Sequence, residues 1–281
     1  MIDLHIHTTR SDGGLTPREV VRRAARAGLR AIAITDHDGV DGNAEAEQAG
    51  RELGVAVVPG VEISTRWDDL TIHLLGYGVC RITDEIRQTL VRLVRSREER
   101  NPRMIRKLRE MGIEITMEEV LAEANGSLVG RPHFARVLVR KGVFGSVQEA
   151  FDRVLGRGRP AYVDKERLTP AEACAVIRRA GGIPVLAHPG LIEEERPGAL
   201  APLLAHLLEL GLEGIEAYYS RHTPEQTRRY RALARSRGLL VTGGSDFHRP
   251  DEGGPEIGTG FGDLRVPDAC YEALAERLRG R

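Results

Sequence analysis

The amino-acid sequence predicts an α/β protein in which a mostly parallel sheet is interrupted by an all-helical insertion. Short apolar runs alternate with helical patterns over residues 1–80 and again over residues 166–281. Strands that alternate with helices usually pair in parallel. Between these two parts, residues 81–165 contain several consecutive helical patterns and no clear strand. About seven strand–helix units result, and such a set closes as a barrel or remains an open doubly wound sheet.

The strands are predicted from short apolar runs, and several helices are predicted from their start signals. The apolar runs cover residues 2–7, 31–35, 55–63, 71–77, 183–187, 214–219 and 239–243. Three helices begin at a capping box, with Thr as the N-cap, Pro in the first turn and Glu or Gln two residues later. These boxes are Thr16-Pro17-Arg18-Glu19, Thr169-Pro170-Ala171-Glu172 and Thr223-Pro224-Glu225-Gln226. Further helices are predicted near residues 44–53, 200–210 and 267–279.

The insertion over residues 81–165 is predicted to be a separate, basic domain. Its helical patterns cover residues 82–111, 116–124, 133–141 and 147–155. It holds 18 Lys and Arg against 12 Asp and Glu, a net charge of +6, whereas the rest of the chain has 23 against 29, a net charge of −6. A basic insertion over an acidic scaffold suits a cap that helps to hold an anionic substrate. A solvated helical surface is the alternative.

Histidine and carboxylate side chains recur where the predicted strands end. In parallel α/β folds this edge carries the active site, so the side chains are expected to converge there. Residues two apart in a strand point to the same face, which suits the pairs His5/His7 and Asp246/His248. Imidazole and carboxylate together are typical ligands of Zn, Mn or Fe. The candidate ligands are His5, His7, Asp12, His37, Glu62, His73, His188, Asp246 and His248.

Most of these positions also have an ordinary explanation, whereas Glu62, close to Gly60, has few. Asp12 lies in Ser-Asp-Gly-Gly, where a turn needs such a residue, and Asp36 and Asp38 suit helix capping or a place behind the ligands. His73 can pack within a strand, and His188 can be a loop residue. The alternatives explain the residues one by one but not their shared edge, so a joint metal site is the better interpretation.

Composition excludes several other classes of protein. The net charge is zero, so no whole-molecule field attracts duplex nucleic acid or a membrane surface. Cys80, Cys174 and Cys270 are far apart, which indicates free thiols in a reducing compartment. No uninterrupted apolar segment approaches the roughly 18 residues of a membrane span, and Asp3 interrupts the first apolar run. We expect a cytoplasmic protein without membrane contact and without stable binding to duplex nucleic acid.

Five segments resemble the PHP family, whose name stands for polymerase and histidinol phosphatase domains. They are Asp3-Leu4-His5-Ile6-His7-Thr8, Thr35-Asp36-His37-Asp38, Pro59-Gly60-Val61-Glu62-Ile63-Ser64, Leu186-Ala187-His188-Pro189-Gly190 and Gly244-Ser245-Asp246-Phe247-His248. The resemblance implies a distorted seven-stranded (β/α) barrel with the helical insertion, two or three metal ions and phosphoesterase chemistry. It implies Mn²⁺ as the metal, with Fe²⁺, Zn²⁺ or Mg²⁺ as alternatives.

Two segments of the insertion narrow the resemblance to stand-alone phosphoesterases with a helical cap. They are Gly130-Arg131-Pro132-His133-Phe134-Ala135-Arg136 and Gly158-Arg159-Pro160-Ala161-Tyr162-Val163. Such members remove the 3′-phosphate of nucleoside 3′,5′-bisphosphates, and some trim short 5′-phosphorylated RNA from its 5′ end. The implied partner is therefore a nucleoside bisphosphate or a short 5′-phosphorylated oligonucleotide.

The resemblance also implies roles for the nine candidate ligands. Glu62 bridges two ions that are surrounded by His5, His7, His73, His188 and Asp246, while Asp12, His37 and His248 hold a third ion. A metal-bound hydroxide then attacks phosphorus in line, and the ions neutralise the charge that builds up on the phosphate oxygens. Glu62 and Asp246 count as catalytic in this scheme.

Further residues are candidates for contact with the substrate. In the insertion, Arg131, His133 and Arg136 lie at a helix start and suit a second, non-reacting phosphate. Phe134 and Tyr162 suit base stacking, although core packing explains them equally well. After the sixth strand, Ser220 and His222 suit the reacting phosphate, with His222 as the proton donor to the leaving oxygen. A helix-start role is the alternative for this loop.

Three other functions remain as alternatives. A histidinol-phosphate phosphatase uses a small substrate that does not need the basic residues around Arg131. An amidohydrolase-type deaminase or amidase also carries a His-x-His pair on a barrel, but the early Asp12 and the ending Ser245–His248 favour a phosphoesterase. A metal-binding module without activity is the third alternative, and the complete ligand set disfavours it.

Overall fold

The computed structural model describes residues 1–250 and 254–281 and shows two compact units, residues 1–87 with 167–281 and residues 88–166. The first unit holds one seven-stranded sheet whose strands follow the chain order. The strands are β1 (Ile2–Ile6), β2 (Ala31–Ile34), β3 (Ala56–Trp67), β4 (Leu70–Tyr77), β5 (Ile183–Leu186), β6 (Gly214–Tyr219) and β7 (Leu240–Gly244).

The helices lie between the strands and within the second unit. They are α1 (Pro17–Arg26), α2 (Asn43–Leu53), α3 (Asp84–Glu110), α4 (Met117–Ala124), α5 (Arg131–Arg140), α6 (Val147–Ala150), α7 (Pro170–Arg179), α8 (Pro189–Glu195), α9 (Leu200–Glu209), α10 (Pro224–Ser236) and α11 (Asp268–Arg279). The three predicted capping boxes are confirmed: the hydroxyls of Thr16, Thr169 and Thr223 each accept a hydrogen bond at the start of α1, α7 and α10. The short helix α8 was not predicted.

The sheet curls into a nearly closed barrel, which confirms the predicted fold class. The edge strands meet after β7, where the Asp246 N–H donates to the His5 carbonyl at 2.9 Å. One step further, the His7 N–H donates to the Phe247 carbonyl at 2.9 Å. Gly244 allows this close approach, since a Cβ there would lie 2.3 Å from the His5 nitrogen. The barrel closure therefore brings the end of β1 and the segment after β7 together.

The predicted parallel pairing is wrong for β4. Strands β1 to β3 and β5 to β7 pair in parallel, but β4 is antiparallel to both β3 and β5. Only Asp68 and Asp69 separate β3 from β4, which allows a hairpin and leaves no room for a crossover helix. Asp68 adopts the positive φ of 53° that such a tight turn requires. The reversal pairs His73 with Ser64, so the first half of β4 lies at the edge where its neighbours end.

The two units have separate hydrophobic cores. In the barrel unit, Ile2, Leu4, Leu75 and Val185 are fully buried with residues of α11. In residues 88–166, apolar side chains of the helices form their own cluster, including Met104, Leu108, Phe134, Leu138 and Leu155. In the described ranges, 1–250 and 254–281, every helix is too short or too polar to cross a membrane.

Candidate metal centre

The first two candidate ligands lie at the end of β1. His5 is within the strand and His7 follows it directly, so the alternation of side chains points both rings to the barrel interior. Both are fully buried, and their Nε2 atoms lie 3.2 Å apart. Two imidazole nitrogens that approach this closely favour a positive charge between them, because both lone pairs cannot face each other unscreened.

Glu62 lies at the centre of the cluster. It is in the middle of β3 and not at its end as predicted, because β3 continues to Trp67. Five imidazoles surround the buried carboxylate of Glu62. Its Oε1 lies 2.8 Å from His73 Nδ1, 3.1 Å from His188 Nε2 and 3.5 Å from His5 Nε2. Its Oε2 lies 2.9 Å from His37 Nδ1 and 3.3 Å from His7 Nε2. Although burial raises it, the pKa of Glu62 is lowered well below its usual value by these histidines.

Asp246, His248 and Asp12 complete the cluster on the other side of His7. Asp246 Oδ1 lies 3.1 Å from His7 Nε2 and 3.3 Å from His5 Nε2. His248 Nε2 lies 3.4 Å from Asp12 Oδ1, and the His7 and His248 rings stack with centroids 4.2 Å apart. The structure thus brings all nine sequence-predicted ligands together at one edge of the barrel.

The donor atoms converge in three overlapping groups that are each compact enough to hold a cation. The groups are His5, His7 and Asp246; His37, Glu62 and His73; and His7, Asp12, His37 and His248. The nitrogen and oxygen donors fit a divalent transition metal. Buried polar atoms support this fit: Glu62 Oε2 and His37 Nδ1 lie 2.9 Å apart, yet neither makes a well-aligned hydrogen bond. The cluster is therefore capable of binding metal ions.

The electrostatics of the cluster also suit cations. Burial alone would lower the pKa of His5 and His7, but the carboxylates of Asp246 and Glu62 raise the pKa of His7 to about 10. The pKa of His5 is likewise raised, by Glu216, Asp246 and Glu62. In contrast, burial lowers the pKa of His37 to about 4, so this ring is neutral and offers a lone pair at ordinary pH. The carboxylates hence favour positive charge at the rings.

Backbone strain concentrates at the same edge. Asp38, His188 and Asp246 adopt φ values of 55°, 28° and 56°, and they are three of the five non-glycine residues with positive φ in the described part of the chain. Such conformations are costly and persist where the surroundings fix them, which often occurs at functional sites. Here the Asp38 N–H donates to the Glu62 carbonyl and the Asp246 N–H to the His5 carbonyl, each at 2.9 Å.

The profile of the PHP domain matches residues 3–157, which is more than half of the chain. The chain belongs to the PHP family. The resemblance predicted from the motifs is thereby confirmed, and membership identifies the chain as a metal-dependent phosphoester hydrolase.

Three relatives of this PHP protein match along most of their length. A 3′,5′-nucleoside bisphosphate phosphatase of Chromobacterium violaceum is 34% identical over 92% of this chain and 90% of its own. The 5′-3′ exoribonuclease Rnm of Escherichia coli is 36% identical over 88% and 85%. A phosphoribosyl 1,2-cyclic phosphate 1,2-diphosphodiesterase of Eggerthella lenta is 32% identical over 94% and 98%.

Two solved structures superimpose on all or nearly all of the chain. A protein described as a metal-dependent phosphoesterase, from Bifidobacterium adolescentis, superimposes with a TM-score of 0.86 and 32% identity, covering 100% of this chain and 98% of its own. A protein described as an amidohydrolase, from Chromobacterium violaceum, gives a TM-score of 0.84 and 32% identity over 98% and 96% of the two chains; that structure holds sulfate and no metal.

Two buried aspartates hold the loops next to the candidate ligands. Asp36 accepts hydrogen bonds from the Thr8 N–H and hydroxyl, each at 2.7 Å, and from the Ser11 hydroxyl at 2.6 Å. Asp38 accepts from the Ser64 N–H at 3.0 Å. These hydrogen bonds hold the loops that carry the neighbouring candidate ligands.

Sequence reasoning missed Glu216, Tyr219 and Asp3. Glu216 is fully buried within β6 and contacts both His5 and the backbone of His188. The Tyr219 hydroxyl donates to Asp246 Oδ2 at 3.1 Å. Asp3 accepts the N–H groups of Ser245 and Gly258, and burial raises its pKa to about 6. The available signal for Glu216 was a single carboxylate in the middle of an apolar strand.

Hydrogen bonds to the backbone disfavour the predicted roles of Ser220 and His222. His222 Nδ1 donates to the Ala217 carbonyl at 3.0 Å, and its Nε2 accepts the Gly190 N–H at 3.1 Å. Both ring nitrogens are thus engaged by the backbone, which argues against His222 as the proton donor. The Ser220 hydroxyl donates to the Ser245 carbonyl at 2.7 Å and keeps only acceptor capacity for a ligand.

The predicted substrate residues of the insertion also have structural partners within residues 88–166. His133 is almost fully buried and its Nδ1 accepts the Gly130 N–H at 2.9 Å, so it caps α5 and does not face a ligand. Phe134 is fully buried in the helical core, which rules out base stacking in this conformation. Arg136 forms an ion pair with Glu123 at 2.9 Å.

The remaining two predicted substrate residues of the insertion are Arg131, the first residue of α5, and Tyr162, which lies in the irregular segment before α7. The Arg131 guanidinium lies over the rings of Phe151 and Tyr162, at 5.7 and 5.3 Å from their centroids. It also donates to the Leu155 carbonyl at 3.3 Å, and the Tyr162 hydroxyl donates to Asp164 at 2.9 Å. Stacking on the two rings fixes the plane of the Arg131 guanidinium.

Proposed function

We propose that this protein removes the 3′-phosphate of nucleoside 3′,5′-bisphosphates and also trims short 5′-phosphorylated RNA from its 5′ end. Both reactions use two to three divalent cations, and Mn²⁺ is the native metal in this proposal. The observation that carries the proposal is the buried Glu62 carboxylate, with five imidazoles within 3.5 Å at the barrel edge. The bisphosphate phosphatase and the exoribonuclease among the relatives support the choice of substrate.

The three donor groups are the proposed positions of the cations. His7 and His37 each belong to two of the groups, and Glu62 Oε2 lies 3.3 Å from His7 Nε2 and 2.9 Å from His37 Nδ1, so these three side chains would connect the positions of neighbouring ions. When bound, the cations supply Lewis-acid chemistry: they polarise phosphoryl oxygens and lower the pKa of water. Asp246 is held in place by the Tyr219 hydroxyl on Oδ2, which turns Oδ1 towards His5 and His7.

Recognition of the second phosphate is assigned to Arg131. A guanidinium bound to phosphate forms charge-assisted, bidentate hydrogen bonds, and Arg131 is already fixed by its two aromatic neighbours. The Tyr162 ring packs against the Arg131 guanidinium, and in this proposal it is also the ring on which the base of the substrate stacks. His133, Phe134 and Arg136 act on the fold of α5 in this proposal.

The test is a substrate panel with protein that has been stripped with a chelator and reconstituted with Mn²⁺. Adenosine 3′,5′-bisphosphate should yield adenosine 5′-monophosphate and inorganic phosphate, and a 5′-phosphorylated trinucleotide should lose its 5′ nucleotide. A duplex RNA, histidinol phosphate and a phosphoribosyl 1,2-cyclic phosphate are the comparison substrates.

The panel separates the alternatives directly. Faster hydrolysis of histidinol phosphate, or of the cyclic phosphate, than of the bisphosphate would overturn the proposed substrate and keep the phosphoesterase class. Turnover of amides with no hydrolysis of any phosphoester would favour the amidohydrolase alternative. Binding of Mn²⁺ without turnover of any substrate would favour the module without activity.

A further inference from the structure

We propose that Glu216 is a positioning residue that holds two members of the metal cluster, His5 and His188, in the geometry that metal binding needs. The proposal rests on the metal centre assigned above. Glu216 lies in the middle of β6 and is fully buried. Its two carboxylate oxygens serve different partners: Oε1 lies 3.0 Å from His5 Nδ1, and Oε2 accepts the His188 N–H at 2.8 Å.

The contact with His5 sets the proton of its ring. A carboxylate accepts hydrogen bonds, so His5 Nδ1 carries the proton that is donated to Glu216. The lone pair of the neutral ring is then at Nε2, which faces Asp246 Oδ1 at 3.3 Å and His7 Nε2 at 3.2 Å. Metal-ligating histidines are commonly oriented by a carboxylate on the other nitrogen in this way.

The contact with His188 fixes a strained peptide. His188 has φ 28° and ψ 60°, outside the usual regions for a residue that precedes proline. Its N–H is bound by Glu216, and its Nε2 lies 3.1 Å from Glu62 Oε1. Loss of the Glu216 oxygen would free the backbone at His188 to relax, and the ring would leave Glu62.

The surroundings of Glu216 favour a role in the cluster over a role in packing. Among residues 1–250 and 254–281, no ion pair joins Glu216 to a lysine or arginine, and its charged contact is with His5. A buried carboxylate without a cationic partner is costly, and an apolar side chain would fill the same space in β6 at lower cost. The orientation of His5 and His188 by one carboxylate explains why a charged residue is buried at this position.

The experiment measures Mn²⁺ binding to metal-free protein by electron paramagnetic resonance of the free ion and by calorimetry. In Glu216→Gln one of the two partners faces an amide N–H, so we expect affinity to fall by about 10- to 100-fold. Glu216→Asp keeps the charge but shortens the reach, and should lose affinity to a similar extent. Glu213→Gln is the matched control, because Glu213 precedes β6 and forms ion pairs with Arg277 and Arg281 on the surface. It should bind Mn²⁺ as the wild type does.

Folding is followed in parallel by circular dichroism and thermal melting. Reduced Mn²⁺ affinity in folded Glu216 variants, with a changed ¹⁵N spectrum of the His5 ring in Zn²⁺-loaded protein, supports the proposal. Wild-type affinity in either folded variant overturns it. Loss of the fold in both variants also overturns it, in favour of a purely structural role. Mn²⁺ binding needs no substrate, so a wrong substrate assignment would not produce any of these results.

Discussion

The barrel edge and the helical unit place polar side chains in opposite situations. At the barrel edge, buried carboxylates and imidazoles point at one another with short contacts between like atoms, and the backbone beside them is strained. In residues 88–166, the polar side chains that sequence reasoning assigned to substrate binding have partners of their own, such as Glu123 for Arg136. Buried nitrogen and oxygen donors that converge on shared positions suit the binding of cations. A set of self-satisfied contacts is built mainly for folding.

The largest loss of activity is expected when the carboxylate at the centre of the barrel-edge cluster, Glu62, is replaced. Glu62→Gln keeps the shape of the side chain but removes the charge that five imidazoles surround. Metal ions at such sites contribute several kcal/mol, so kcat/KM for the bisphosphate should fall by about 10³-fold or more. Steady-state assays and metal analysis of the purified variant check this, with the exposed Glu52→Gln as control. Metal content and activity close to wild type would refute the assignment of Glu62.

On the helical side, Phe134→Ala should act on stability. Phe134 is fully buried in the core of residues 88–166, and truncation of a buried Phe costs about 3 kcal/mol or more. Urea denaturation should show this loss, while KM of the folded fraction stays near the wild-type value. A raised KM with unchanged stability would instead restore the base-stacking role. Val143→Ala, at an exposed position, is the control.

Arg131→Ala tests whether the helical unit contributes to substrate binding, because Arg131 is the arginine of that unit to which the proposal assigns a phosphate. Charge-assisted hydrogen bonds contribute about 1.5–3 kcal/mol, so KM for the bisphosphate should rise by about 10- to 100-fold. A substrate with a single phosphate should be less affected. Arg153→Ala, whose exposed guanidinium pairs with Glu149, is the control. An equal effect on both substrates would mean that Arg131 acts on the fold.

The smallest expected effect, taken per pH unit, is a pH dependence of Mn²⁺ affinity. In the metal-free protein the carboxylates raise the pKa of His7 to about 10, so its ring is protonated at neutral pH and metal must displace the proton. Affinity should therefore rise with pH between 6.5 and 8.5, by about tenfold per unit for each proton displaced. Calorimetry in two buffers of different ionisation enthalpy measures the protons released, and a pH-independent affinity would contradict the raised pKa of His7.

The stability of the metal-free protein should change with pH in the opposite direction. The contribution of protonated His7 to that stability is complete below the unfolded pKa of about 6.5 and is lost as pH rises through about 10.

Much of the barrel was predictable because its signals are local. Capping boxes of the form Thr-Pro-x-Glu or Thr-Pro-x-Gln mark helix starts. The rule that parallel strands share an active edge predicted that nine side chains distant in sequence lie together. The reversal of β4 was not predictable from periodicity, since apolar alternation carries no direction. Its cause is the length of the connection, for the two residues Asp68 and Asp69 permit only a hairpin.

Within the site, the missed residues are those whose role depends on long-range packing. Glu216 is a lone carboxylate in an apolar strand, and its partner His5 is 211 positions away. In α5, the residues Arg131 to Arg136 resemble a ligand-binding segment by composition, yet the helix buries both His133 and Phe134. Sequence composition identifies which residues are polar, but the packing of neighbouring helices decides which of them reach a ligand.

The most direct test of the metal centre is an anomalous difference map at the Mn K edge, from crystals of protein reconstituted with Mn²⁺. We expect two or three peaks within the cluster bounded by His5, Asp12, Glu62, His188 and Asp246, with the highest peak beside Glu62. Full phosphoesterase activity in the same preparation, together with a map that has no peak inside this cluster, would contradict it.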